Sequence, residues 1–136
     1  MAVNVQLLPS VTPVLHYRDP DAAFRWLIDT LPLTESWANR APDGSLQNAE
    51  LRWRAGFVSI NRARGDYEAR PSSVWLTLET ASEVDARYEH AVAAGAEVVR
   101  PLAETGYYFY SFTVRDPEGN DWMVGTDGRL HELRNR

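Results

Sequence analysis

Few side chains in this sequence can move a proton. Of its three histidines, His16, His90 and His131, only His16 lies in a β-rich run, Val11 to Tyr17 (VTPVLHY). Strand alternation puts His16 on one face with Thr12 and Val14. There it reads either as a general base or polar anchor, or as a hydrogen-bonded histidine at a strand end. Glu79 falls on the same side of its strand as Ser73 and Trp75, so a carboxylate meeting His16 across a cleft would form an acid–base pair. The plainer reading of Glu79 is an exposed charge at a strand end. His90, on the polar face of a helix, and His131, in the tail, are expected to face solvent. The chain has no Cys, and all 14 of its basic residues are Arg. Disulfides, thiolate nucleophiles, cysteine-bound metals and lysine Schiff bases are therefore excluded.

Rings are more plentiful than titratable groups. Alternation turns Trp75 to the same face as Ser73 and Thr77, with Val74, Leu76 and Leu78 opposite. Phe57, Ser59 and Asn61 form a similar row. A tryptophan on a concave face can stack on a ligand; the same rings can equally fill a core or an interface. Trp122 is expected to be core and its neighbour Met123 to face the other way.

The elements that must position these groups are legible in outline. Asp19-Pro20-Asp21 opens a helix, with Asp19 as cap and Pro20 at the first position, where its missing N–H costs nothing. Phe24, Leu27, Ile28 and Leu31 follow at helical spacing, and Pro32 stops the helix. Strands are expected over Leu33 to Ala41, Gln47 to Arg54 and Phe57 to Asn61, joined by the Asp43-Gly44 turn and Ala55-Gly56. A polar linker, residues 63–71, separates this half from a second one. There Val74 to Leu78 is a strand, Ser82 to Asp85 fits a capping box, and Val84, Tyr88 and Ala91 share a helical face ending at Gly95. Strands at Glu97 to Leu102, Tyr108 to Val114 and Asp121 to Gly125 complete it, the last two forming a hairpin around Asp-Pro-Glu-Gly-Asn. The expectation is a single α+β domain over residues 1–136. It consists of two tandem βαβββ modules, about 11–62 and 72–126, with a tail at 127–136, forming a curled mixed sheet around a cleft.

Composition narrows the partners. A net charge of −5 with scattered arginines argues against nucleic acid. No apolar run approaches the roughly 20 residues of a membrane span. The start of the chain lacks the basic segment of a secretory signal, so a cytoplasmic location is expected. Arg64-Gly65-Asp66 spells an adhesion tripeptide, but in this setting it reads as a turn, and so does Asp116 to Asn120, which lacks the ligands of a calcium loop.

The segments HYRDPDAAFRWL, DGSLQNAELRW, AAGAEVVRPL and SFTVRDPEGNDWMVGT, in this order and spacing, resemble the vicinal-oxygen-chelate superfamily of glyoxalases, bleomycin-resistance proteins and extradiol dioxygenases. The resemblance covers nearly the whole chain. It implies a homodimer and a small-molecule ligand, with the Tyr107 to Tyr110 run near the cavity mouth and Tyr108 and Tyr110 touching the guest. Metal-binding members of the family use four side chains on the first, fourth, fifth and eighth strands. Carried over, these positions are Thr12, Ser59 or Asn61, Ser73 and Met123. Hydroxyls, an amide and a thioether are poor donors to a transition metal, so no metal and no other cofactor is expected. The resulting expectation is a metal-free binding protein that sequesters an aromatic or cationic compound, with Thr12, His16, Phe57, Ser59, Asn61, Ser73, Trp75, Thr77, Tyr108, Tyr110 and Met123 around it. The alternative is a metal-dependent lyase, isomerase or dioxygenase of the same type, with His16, Glu50 or Glu79 as ligands. In that reading His16 and Glu79 are the catalytic candidates. A third class, an assembly domain, would have its cleft plugged by its own side chains.

Overall fold

A computed structural model describes residues 9–106 and 109–129, and Tyr107, Tyr108 and His131 lie outside that range. The first module runs β1 (Val14–Tyr17), α1 (Pro20–Thr30), β2 (Thr34–Arg40), β3 (Leu46–Trp53) and β4 (Gly56–Arg62). The second runs β5 (Ser73–Leu78), α2 (Ala81–Ala93), β6 (Glu97–Thr105), β7 (Phe109–Arg115) and β8 (Asp121–Thr126). Each module folds into a four-stranded mixed sheet, of order β1-β4-β3-β2 and β5-β8-β7-β6, so the second repeats the topology of the first. In both, the first strand pairs in parallel with the last and the remaining pairs are antiparallel. This is the α+β architecture of two βαβββ units. No helix among the described residues is long and apolar enough to cross a membrane.

Alternation decides which face meets the helices. Leu15, Tyr17, Val58, Ile60, Leu76 and Leu78 are buried, while their neighbours along each strand are at least partly exposed; Val114 and Val124, on the central strands of the second sheet, are buried too. Ala23 and Leu27 of α1, with Leu31 at its C-cap, close on the first sheet. In α2, Val84 and Ala91 do so on the second, and Tyr88 packs edge-on against Phe112 at 5.1 Å. Trp122 is fully buried, as its place in the alternation requires.

The caps explain the helix limits. Asp19 accepts a hydrogen bond from Ala22 N at 3.1 Å, and Pro20 occupies the first turn. The start of α2 departs from expectation. The cap is Thr80, not Ser82, and its hydroxyl accepts from Glu83 N at 3.1 Å. Thr80 has the extended backbone that a cap needs, whereas Ser82 already lies inside the first turn. Gly95, at φ +84°, ends this helix in the left-handed region, and Ala96 N donates back to Ala91 O at 3.0 Å.

The modules are bound together through the β7–β8 turn. Buried Asp116 accepts from Tyr17 Oη at 2.6 Å, Trp122 Nε1 at 3.1 Å and Asn120 N at 3.0 Å. Two residues on, Glu118 accepts from Arg18 N and Asp19 N at 2.7 and 2.9 Å, at the mouth of α1. The Asp-Pro-Glu-Gly-Asn turn is thus a clamp between the two halves as well as a hairpin loop. Burial, and after it the Asp116 carboxylate, pushes the Tyr17 phenol far above its ordinary range.

Candidate functional site

Where the β3–β4 hairpin of the first sheet meets β5 of the second, the two modules leave a slot of about 310 Å³. One wall is Trp53 and the run Arg54 to Val58; the other is Val74 to Thr77. Trp53 closes one end of this gap by donating from Nε1 to Thr77 O at 2.7 Å. Trp75 donates to its own strand neighbour, Thr77 Oγ1, at 3.0 Å and meets Phe109 edge to face at 5.7 Å. The indole NH groups of both walls are therefore satisfied, and what the rings have left to offer a guest is flat apolar surface.

Arg54 sits at the rim. It is the one non-glycine residue with positive φ (+53°) among those described, forced by the two-residue turn Arg54-Ala55. Its guanidinium lies over the Trp53 ring at 5.7 Å and pairs with Glu79. Beside it, Arg52 covers Phe57 at 5.8 Å.

The open face of the first sheet carries ordered polar rows. Register aligns Val14, Ser59, Glu50 and Trp37 across the four strands, and His16, Asn61, Asn48 and Asn39 in the next row but one along β4. Glu50 accepts from Trp37 Nε1 at 2.7 Å, Ser59 Oγ donates to Asn61 Oδ1 at 3.1 Å, and Asn39 Nδ2 to Asn48 Oδ1 at 3.0 Å. His16 stacks on Tyr67 with ring centroids 5.2 Å apart.

A family model described as the glyoxalase/bleomycin resistance protein/dioxygenase superfamily matches residues 11–124. The chain belongs to the glyoxalase/bleomycin resistance protein/dioxygenase superfamily. An uncharacterized protein of Mycobacterium bovis is 30% identical over 133 residues, covering 92% of this chain and 86% of that one. Among solved structures, TioX from Micromonospora sp. ML1 superposes with a TM-score of 0.70 at 26% identity, covering 88% of this chain and 96% of that one. A lactoylglutathione lyase from Agrobacterium tumefaciens gives 0.71 at 21% identity, covering 89% and 96%, a likeness of fold alone.

Metal-binding members of this superfamily set the donor test. Thr12 precedes β1 and is half-buried, Ser59 and Asn61 bond to one another, Ser73 is exposed, and Met123 pairs with Trp75 across β5 and β8. These hydroxyl, amide and thioether groups do not fit a transition ion. Among the described residues no group of three or more His, Cys, Asp or Glu is arranged to hold one.

The sequence-derived candidates are thus divided. Phe57, Trp75 and Thr77 come together in the slot, and His16 and Asn61 in a separate recess. His16 and Glu79 each take another partner, Tyr67 and Arg54, so the conditional acid–base pair across the cleft is not among the contacts of either. Tyr110 departs from the expected cleft contact. It lies on the helix-facing side of β7 with Phe112, and its hydroxyl donates to Asp85 of α2, which raises the phenol above its usual range. The ring that reaches Trp75 is Phe109, one place earlier in a four-aromatic run where composition gives no register. Trp53 and Arg54 were also missed as site residues. The positive φ of Arg54 has no sequence signature, and the direction of Trp53 depends on how the modules meet.

Proposed function

We propose that this chain is a metal-free small-molecule-binding protein that holds an aromatic compound in the slot between its modules. The observation carrying this reading is the slot itself: three rings, Trp53, Phe57 and Trp75, line about 310 Å³ with no carboxylate or imidazole on its walls. Of the two guest chemistries expected, the aromatic one fits better. The Phe57 and Trp53 faces that a cationic guest would seek already carry Arg52 and Arg54. A neutral or acidic ring system suits the site, with Arg54 at its mouth.

The metal-dependent alternative draws on His16, Glu50 or Glu79 as ligands, and none of the three is grouped with two other metal-ligating side chains among the described residues. Glu50 lies on β3, two strands or about 10 Å from His16 on β1, and its carboxylate is engaged by Trp37. A homodimer is part of the proposal, since Val14 (48% exposed) and Trp37 (46%) leave apolar surface on the open face of the first sheet.

Elemental analysis of protein purified without chelator separates the readings: we expect less than a tenth of an equivalent of Ni, Zn, Fe or Mn, and a stoichiometric amount of any of them overturns the metal-free reading. A thermal-shift screen of aromatic compounds should find stabilisers, since a ligand at a hundred times its Kd adds roughly 2.7 kcal/mol.

A further inference from the structure

One wall of the slot is an unpaired strand edge. β5 is the outer strand of its sheet, and its ladder partner among the described residues is β8 alone. Along a strand the N–H and C=O of one residue point to the same side, and those of the next residue to the other. Asp121 N donates to Ser72 O at 2.9 Å, which turns Ser72, and with it Val74 and Leu76, towards β8. Ser73, Trp75 and Thr77 therefore present their backbone polar groups to the opposite edge, where the β3–β4 hairpin stands across the slot.

The Trp53 bond fixes this direction independently. Thr77 O, on the open edge, accepts the Trp53 indole N–H at 2.7 Å. From within the molecule, this edge has thus already taken an N–H carried on a flat ring. Two residues back, roughly 6.6 Å at strand rise, the N–H and C=O of Trp75 point the same way, and neither has a hydrogen-bond partner among the described residues. An open strand edge is a template for a further amide, and extended peptides dock on such edges through main-chain hydrogen bonds. A gap of about 310 Å³ walled by rings has room for a small guest in place of a chain.

We propose that the aromatic guest of the slot carries an amide-like group, a primary carboxamide or a lactam, whose C=O accepts from Trp75 N–H and whose N–H donates to Trp75 O. This rests on the aromatic reading of the slot and specifies its guest. The adjacent donor and acceptor of an amide match the pair on a single strand residue. Both backbone groups are held in place by the β5–β8 ladder, so no side chain has to be ordered to meet them. A ring without an N–H displaces water from Trp75 O and returns no donor to it, which is the costly outcome.

The test compares 2-naphthamide with methyl 2-naphthoate, which keeps the ring system and the carbonyl but has no N–H. Each is titrated into the full chain and followed by tryptophan fluorescence and, in the ¹H–¹⁵N spectrum, at the Trp75 backbone amide. 2-Naphthamide should bind about tenfold tighter, and the Trp75 amide proton should move downfield as it saturates. In Trp75→Ala, which removes the ring and keeps the backbone, both affinities should fall while the preference for the amide survives. Equal affinities in wild type, a Trp75 amide signal that stays in place, or a preference lost in Trp75→Ala overturns the amide proposal and leaves the aromatic slot standing. Binding of neither compound overturns both.

Discussion

At the scale of single residues, the chemistry turns on which groups are already engaged. Tyr17 is the clearest case: its hydroxyl is spent on Asp116 inside the core, and its phenol is held protonated well past the normal range. A raised folded-state pKa contributes stability that is complete below the unfolded value and is lost as pH climbs beyond it. The window therefore opens above about pH 10, the ordinary tyrosine pKa. Tyr17→Phe should cost about 1.5–3 kcal/mol at neutral pH, the range for hydrogen bonds to a charged group. Its unfolding temperature should also fall less steeply than wild type between pH 10 and 11. Parallel pH-melt curves check both. The sequence showed Tyr17 as an apolar strand end and Asp116 as a turn former, but their bond spans 99 residues and no local pattern announces it.

Among the elements, β8 sets the tightest constraint. A Cβ at Gly125 would lie 2.5 Å from Ser111 Cβ and 2.6 Å from Tyr110 O, both on the paired strand β7. Gly125→Ala should therefore destabilise by about 1–3 kcal/mol through overpacking, read as a lower denaturant midpoint with an unchanged m-value. Ser111→Gly, combined with it, should recover part of the loss because one of the two clashing atoms is removed. Elements were the most legible level in the sequence. Asp19-Pro20 marks the start of α1, and strand alternation separates Leu76 and Leu78 from Trp75 and Thr77. What stayed hidden was which of two hydroxyl residues, two places apart, caps α2, since Thr80 and Ser82 each have an acidic residue three places on. The four consecutive aromatics running into β7 gave no alternation to read, so the cleft contact expected of Tyr110 falls to Phe109.

For the whole molecule, the repeated topology brings two sheets together so that their junction, lined by Trp53, Phe57 and Trp75, becomes a ring-walled slot. The tandem architecture followed from a repeat of motifs in the sequence, but the junction did not. It depends on the Asp116 clamp and the Trp53 bond to Thr77, contacts between halves that share no local signal. The central claim is that this slot takes an aromatic guest without the help of a cation. Its most direct test is a titration of the protein's tryptophan fluorescence with 2-naphthol, with and without excess EDTA, in wild type and Trp75→Ala. The account predicts a saturable change that EDTA leaves intact and that Trp75→Ala weakens by about tenfold, or 1.4 kcal/mol, within the range for an aromatic contact. Binding that EDTA abolishes and added Ni or Zn restores, or an affinity that Trp75→Ala leaves unchanged, would contradict it.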